Sequence, residues 1–185
     1  MRFANTIGIV IKSRSQREAD LSVTLLTPNM GKINVLAKGA KNIKSSRLGS
    51  LQLGNIIKAH LYQKGEYFWL TESTTIFQFL LEPKSLTQVN LLFYFLEILN
   101  LFVADNQQID GCFDIAHKII QSISNNKLAH FIKHEIEFTA ILGFGLPQEI
   151  IAEYQQKKYS SCQTLIRQHF ESILDRQLQS SKMFN

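Results

Sequence analysis

Cysteine is scarce in this sequence, and the two cysteines that occur lie far apart. Cys112 and Cys162 form no Cys-x-x-Cys pair, so neither a disulfide framework nor a zinc knuckle is indicated. His130 and His134 are one helical turn apart, but the zinc-protease pattern needs a glutamate directly after the first histidine, where this chain has Phe131. We therefore predict that the protein needs no metal and no cofactor.

Glycine-rich motifs for phosphate binding or nucleophilic catalysis are absent. The sequence contains no GxxxxGK[ST] loop, no GxGxxG turn and no GxSxG elbow. The two glycines of LGFGLP follow a helical pattern, so they are typical of a helix end and a turn. We expect a protein that is not an enzyme.

No hydrophobic run is long enough to cross a membrane. The longest, residues 89–104, is interrupted by Asn90, Glu97 and Asn100 and falls short of the roughly 20 residues that a span requires. The N-terminus lacks the long apolar stretch and the small-residue cleavage site of a signal peptide. These features predict a cytoplasmic protein without a membrane partner.

Acidic residues are missing altogether between Leu21 and Gly65, although this stretch contains seven Lys and Arg. Residues 1–80 hold 11 Lys and Arg against 4 Asp and Glu, a net charge of +7, whereas the rest holds 9 against 11, a net charge of −2. An ordinary solvated surface mixes both signs. The sequence therefore predicts two modules, of which the first binds a polyanion such as nucleic acid.

The first module has the periodicity of β-strands. Apolar residues alternate with polar ones in five short runs, at residues 7–11, 21–25, 33–35, 57–61 and 68–70. Turn residues separate the runs, as in the segments 27–31 and 63–66. Five antiparallel strands in so short a chain leave bare edges unless they close into a small barrel or a half-open roll. The leading candidate over residues 1–80 is a five-stranded OB-fold barrel.

After Pro83 the apolar spacing changes to three and four residues, which predicts helices. Ser85 is a candidate N-cap for the first helix, and Gly143 is expected to end the third. We predict helices over residues 86–103, 113–123 and 128–141, with one or two more over 148–178. The predicted fold class is α+β, a barrel followed by an all-helical domain over residues 81–185.

The basic residues of the first module are concentrated in one glycine- and serine-rich segment, where Lys38, Lys41, Lys44 and Arg47 recur every three residues. This spacing makes no single stripe on a helix, whereas long cationic side chains on a loop suit contacts with successive phosphates. The alternative is an ordinary solvated basic surface.

An aromatic cluster, YFWL at residues 67–70, lies on the last predicted strand. Alternation sends Tyr67 and Trp69 to one face and Phe68 and Leu70 to the core. Trp69 is a candidate for stacking on a base, although aromatic residues are also ordinary strand formers.

Three segments together resemble the N-terminal domain of the RecO family of bacterial DNA repair proteins: GIVIKSR from Gly8, the block from Glu18 to Gln52, and YFWLTES from Tyr67. HEIEFTAILGFGLP is similar to the helix of that family that ends in a Leu-Gly-aromatic turn. The resemblance implies an OB fold followed by helices, in a bacterial protein that binds single- and double-stranded DNA and anneals complementary strands. It also implies that the protein works with RecR and helps load RecA onto DNA coated by the single-stranded DNA-binding protein.

Combined with the charge pattern, the resemblance gives a set of candidate DNA-binding residues. They are Lys12, Arg14, Lys32, Lys38, Lys41, Lys44 and Arg47. Many RecO proteins carry a four-cysteine zinc site after the Leu-Gly-aromatic turn, but here that region contains only Cys162, so zinc is not expected.

The resemblance further implies that the helical domain receives the acidic C-terminal tail of the single-stranded DNA-binding protein. An apolar pocket with a basic rim would suit that tail, and the candidates for the rim are Lys118, Lys127, Lys133 and Arg167. Two alternatives remain open from the sequence: a general RNA-binding OB module, and a scaffold whose barrel binds protein.

Overall fold

A closed five-stranded barrel forms the first part of the chain. The computed structural model describes residues 2–16, 18–42, 45 and 47–180. The strands are β1 (Arg2–Ser15), β2 (Leu21–Thr27), β3 (Gly31–Ala37), β4 (Ile56–Lys64) and β5 (Tyr67–Phe77). Their order around the barrel is β1-β2-β3-β5-β4, with β4 pairing back to β1, and every pairing is antiparallel except that of β3 with β5. The predicted five-stranded barrel is confirmed.

The barrel core is built by alternate residues of these strands, as the period of two predicts. Val23 and Leu25 of β2, Ile33 and Val35 of β3, and Leu61 of β4 are all buried in one cluster. Their neighbours in sequence point outward, because successive side chains of a strand lie on opposite faces. On β2 and β3 some of these outward residues, such as Leu26 and Lys32, are also buried, whereas the polar and aromatic residues described below lie on uncovered parts of the outer face.

A buried asparagine closes one end of the barrel. The short helix α1 (Arg47–Ser50) lies between β3 and β4. The Asn55 side-chain amide donates to the carbonyls of Gly49 and Ser50 at 3.1 and 3.2 Å, and its oxygen accepts from the Phe79 N–H at 3.1 Å. Since buried polar groups must be paired, these three bonds hold α1 and the chain after β5 in place.

Residues 99–108 form one compact unit with residues 1–83, although the sequence pattern placed them with the helices. Lys32 of β3 makes the main polar contacts with this segment. Its Nζ donates to the Asn100 carbonyl at 2.7 Å and lies 3.0 Å from the Asp105 carboxylate, while the Lys32 carbonyl accepts from the Asn106 N–H at 2.8 Å. The Lys32 side chain is only 8% exposed.

The second compact unit comprises residues 84–98 and those from 109 onward, and it is helical. The helices are α2 (Leu86–Phe102), whose last turn belongs to the first unit, then α3 (Cys112–Ser124), α4 (Leu128–Ile141), α5 (Gln148–Gln155) and α6 (Tyr159–Leu174). The predicted helices are confirmed, and the stretch from residue 148 contains two. Within the described ranges, no helix combines the length and the hydropathy needed to cross a bilayer.

The two predicted helix ends are formed by capping hydrogen bonds between residues that lie close together in the sequence. Ser85 Oγ accepts from the Gln88 N–H at 3.2 Å, and Gln88 Oε1 accepts from the Ser85 N–H at 3.0 Å, which is a capping box. At the end of α4, the N–H groups of Gly143 and Phe144 donate to carbonyls of the last turn, as in a Schellman motif. Both predicted ends are confirmed.

Candidate nucleic-acid interface

Strand register brings separate parts of the basic sequence to the same end of the barrel. Ser15 pairs with Leu21 across β1 and β2, and Leu21 pairs with Ala37 across β2 and β3. Arg14 directly precedes the first of these residues, and Lys38 directly follows the last. The pairing therefore places Arg14 and Lys38 at one edge although they are distant in sequence.

The turn that follows β3 is held against the loop between β1 and β2. The Gly39 N–H donates to Asp20 Oδ1 at 2.8 Å, and the Lys41 N–H donates to the Ala19 carbonyl at 3.0 Å. These bonds position Lys41 at the same end as Arg14. The Asp20 carboxylate thereby caps the turn after β3.

Arg47 holds the basic segment together through backbone carbonyls. Its guanidinium donates to the Lys38 carbonyl at 2.8 Å and to the Leu70 carbonyl at 3.2 Å. Arg47 also lines a cleft of about 550 Å³. The other lining residues are Gly39, Asn42 and Ser45 from the segment after β3, and residues 71–74 of β5. Carbonyls do not neutralise a guanidinium, so Arg47 adds positive charge here while it positions the loop.

We call Arg14, Lys38, Lys41 and Arg47 the basic end. Arg14, Lys38 and Lys41 are exposed, and in the described part of the chain no carboxylate lies within 4.0 Å of their charged groups. Lys44 lies outside the described residues. The basic end therefore presents three cations without ion-pair partners to an approaching anion, although the Asp20 carboxylate and Glu72 of the cleft lie at the same end.

Two of the candidate DNA-binding residues lie apart from the basic end. Lys12 is half-buried on β1, where it pairs with Thr24 of β2. Lys32 is buried and its charge is balanced by Asp105, so it stabilises the first unit and we leave it out of the proposed surface. Its partner lies 73 positions further along the sequence, which local charge pattern does not reveal.

Four aromatic side chains form a row on the outer face of the barrel. Phe3 of β1 pairs with Tyr62 of β4, and Tyr62 pairs with Trp69 of β5. The ring centroids are 5.4 Å apart for Phe3 and Tyr62, 5.6 Å for Tyr62 and Trp69, and 6.3 Å for Tyr67 and Trp69. We call these four residues the aromatic row. The predicted alternation is confirmed, because Leu70 is buried in the core and Phe68 packs against it.

A groove of about 370 Å³ adjoins the aromatic row. It lies between Gln16, in the loop after β1, and Glu66, in the turn between β4 and β5. Its floor is formed by outward-facing and neighbouring residues of β2, β3 and β5, namely Ser22, Asn34, Val35, Leu36, Tyr67, Phe68 and Trp69. An outer sheet face between these two loops is where OB folds bind oligonucleotides.

Comparison with known proteins identifies the barrel. Residues 1–79 match the family described as Recombination protein O N terminal. The DNA repair protein RecO of Chloroherpeton thalassium is 28% identical over 146 residues, which are 76% of this chain and 56% of that protein. The DNA repair protein RecO of Rhodopirellula baltica is 32% identical over 136 residues, which are 72% of this chain and 50% of that protein.

The chain belongs to the RecO family. The RecO N-terminal domain is an OB fold, so the predicted OB type of the barrel is confirmed together with the α+β class. The chain spans about half the length of the curated relatives it matches. Activities of whole RecO proteins are therefore proposals for this chain.

The helical unit of this RecO-family chain shows no cluster suited to a metal in the residues that the structure describes. No three His, Cys, Asp or Glu side chains come together there. His134 Nδ1 instead lies 3.2 Å from the Ser122 hydroxyl, and burial lowers the pKa of His134. Cys112 and Cys162 are buried free thiols, and burial raises the pKa of each to about 11. Independence from metal stays a prediction.

The helical unit also contains a buried carboxyl group, that of Glu135. No pattern in the sequence indicated that this group would be buried. Glu135 of α4 is 1% exposed. Burial raises the pKa of Glu135 to about 8, although the Tyr94 hydroxyl and the Arg167 guanidinium act in the opposite direction. The Arg167 guanidinium lies 4.7 Å from the centre of the Tyr94 ring, so these three residues form one cluster.

Proposed function

We propose that this chain binds single- and double-stranded DNA without sequence specificity through the basic end and anneals complementary strands. The observation that carries the proposal is the group of exposed cations Arg14, Lys38 and Lys41 at one end of a RecO-type barrel, none of which forms an ion pair within 4.0 Å in the described chain. Two DNA strands repel each other through their phosphates. A basic surface that neutralises both lets base pairing proceed, and no covalent bond is made or broken.

The wider role that we propose is that of a mediator in DNA repair and recombination. Relatives of this chain are named DNA repair protein RecO, which supports a role in that process. The proposal includes cooperation with RecR in loading RecA onto DNA coated by the single-stranded DNA-binding protein. Family membership supports these partners, and the basic end supplies a site for the DNA itself.

Replacing Arg14, Lys38 and Lys41 together with alanine is expected to weaken DNA binding by all sequences alike. Each phosphate contact contributes about 0.7 to the slope of log affinity against log salt on single strands, so the slope should decrease by about 2. A slope that is smaller by about 2 corresponds to an affinity for DNA that is about 100-fold lower near 0.1 M salt. This difference in affinity between the variant and the wild type becomes smaller as the salt concentration increases. Fluorescence anisotropy of a labelled oligonucleotide at several salt concentrations measures both quantities.

Arg47 is left intact in this variant because its guanidinium holds the loop through the Lys38 and Leu70 carbonyls. The matched control replaces three exposed lysines of the helical unit, Lys118, Lys127 and Lys133, with alanine, which changes the net charge by the same amount. We expect the control to keep the wild-type slope. Equal slopes for the first variant and the wild type would show that the basic end is not the DNA site.

We also propose that the helical unit binds the acidic tail of the single-stranded DNA-binding protein with micromolar affinity. Lys118, Lys127 and Lys133 are exposed and can meet the tail's carboxylates, whereas Arg167 already lies against Tyr94. Titration of a labelled tail peptide into the full chain should saturate, and salt should weaken binding only in part because apolar burial persists. The lysine control above should lose affinity for this peptide, while the basic-end variant keeps it.

A peptide that lacks its last aromatic residue should bind much more weakly than the complete tail. Equal binding of the two peptides, or no saturation with the complete one, would exclude an apolar pocket for the tail on this unit.

A further inference from the structure

The aromatic row is unusually exposed for a set of large apolar side chains. Phe3 is 76% exposed and Tyr67 is 73% exposed, and they lie at the two ends of the row. Tyr62 and Trp69 between them are half-buried, so the barrel supports the middle of the row. Contiguous exposed aromatic rings on a soluble protein indicate a surface that binds a partner.

Cations lie on the strands next to the row. Arg2 precedes Phe3 and pairs with Gln63, and Lys64 pairs directly with Tyr67. Both are exposed. Glu66 is also exposed beside Tyr67, so the flank carries two cations and one carboxylate. A polymer with a phosphate at every unit and a flat ring beside it would match both the excess of cations and the aromatic rings.

Strand register connects the aromatic row to the basic end. Trp69 pairs with Leu36, Leu36 with Ser22, and Ser22 with Arg14. Ser22 and Leu36 line the groove between the two groups. A single strand can therefore pass from the basic end along the groove to the aromatic rings on one continuous outer face.

We propose that the aromatic row stacks the unpaired bases of single-stranded DNA and so gives this chain a preference for single strands over duplex. The proposal rests on the DNA binding proposed above. Base faces are accessible in a single strand but are covered by neighbouring pairs in a duplex, and stacking is tolerant of sequence because every base has such a face. The basic end would contribute equally to the binding of single-stranded and duplex DNA, whereas the aromatic row would contribute to the binding of single strands alone.

Trp69 is the single tryptophan of the chain, so its fluorescence reports on the row directly. Three ligands of equal length, about 16 nucleotides to cover one OB-fold site, separate phosphate contacts from stacking: oligothymidine, an oligonucleotide made only of abasic sites, and a duplex. We expect oligothymidine to quench Trp69 and the other two to leave its emission nearly unchanged. The abasic oligonucleotide should bind at least tenfold more weakly than oligothymidine.

The test variant replaces Phe3 and Tyr67 with alanine and keeps the half-buried Tyr62 and Trp69, so the barrel retains its supported rings. Oligothymidine affinity should fall about tenfold or more, while duplex affinity stays within about twofold. Tyr67→Phe, which keeps the ring, should bind as the wild type does. Ile76→Ala is the matched control, since Ile76 is 56% exposed and lies nine positions along the same strand.

The outcomes separate this proposal from the one on which it rests. Oligothymidine binding that is unchanged in the Phe3 and Tyr67 variant, or an abasic oligonucleotide that binds as tightly as oligothymidine, would overturn base stacking while salt-dependent DNA binding stands. Failure of every DNA ligand to bind would overturn both proposals together.

Discussion

Gly31→Ala is expected to destabilise the barrel by about 3 kcal/mol or more and to abolish DNA binding at temperatures where the wild type is folded. Gly31 has φ +64°, and a Cβ at this position would lie 2.0 Å from the Gln107 carbonyl oxygen. The left-handed conformation alone costs alanine about 1–2 kcal/mol. The overlap with the backbone adds to this, because neither segment can move without disturbing the contacts between β3 and residues 99–108.

Gly65→Ala is the matched control for this prediction. Gly65 has nearly the same conformation, with φ +62°, but a Cβ added to it would meet no atom within 4 Å on the exposed turn between β4 and β5. This variant should lose only about 1–2 kcal/mol of stability, which is the cost of the left-handed conformation for alanine. Urea unfolding followed by Trp69 fluorescence measures both variants. Equal losses would mean that the close approach of residues 99–108 to Gly31 contributes nothing.

Glu135→Gln is expected to stabilise the helical unit, increasingly so as the pH rises from about 5 to 8. The pKa of Glu135 is raised by burial from 4.5 to about 8, so the folded protein holds this proton over a range in which the unfolded chain has lost it. Stability therefore falls as pH rises through that window, by about 1.4 kcal/mol per unit and on the order of 5 kcal/mol in total. Glutamine carries no proton to lose, so the variant should lack this contribution.

Urea unfolding followed by far-ultraviolet circular dichroism, at several pH values between 5 and 9, measures the difference between Glu135→Gln and the wild type. Using the difference removes the titration of His117 and His134, whose pKa values burial lowers. Glu149→Gln of α5 is the control, since Glu149 lies exposed in the same unit. A stability difference for Glu135→Gln that does not grow with pH would show that Glu135 is ionised in the fold.

Features that depend on neighbouring residues in sequence could be predicted. The period of two in β1 to β5 predicted the barrel, and the change to periods of three and four predicted the helices. Ser85 and Gly143 were predicted as helix ends because capping depends on residues only three or four positions away. The acid-free stretch likewise predicted a basic surface before any contact was known.

Features that depend on pairing across the chain could not be predicted. Lys32 looked like its basic neighbours, yet Asp105 and the Asn100 carbonyl balance it inside the first unit. Phe3 and Tyr62 were missed as partners of Trp69 because their proximity follows from the register of β1, β4 and β5. No spacing within one strand carries that information. A row of outward-facing aromatic residues at matching strand ends is the signal that could have been sought.

Annealing is the most direct test of the proposal that a basic, RecO-type barrel brings two DNA strands together. Two complementary oligonucleotides, one with a fluorophore and one with a quencher, are mixed with the full chain, and the loss of fluorescence gives the annealing rate. We predict that the wild type accelerates annealing, that the Lys118, Lys127 and Lys133 control does so equally, and that the Arg14, Lys38 and Lys41 variant does not. Annealing by the wild type at the rate of protein-free DNA, or full acceleration by the basic-end variant, would contradict this account.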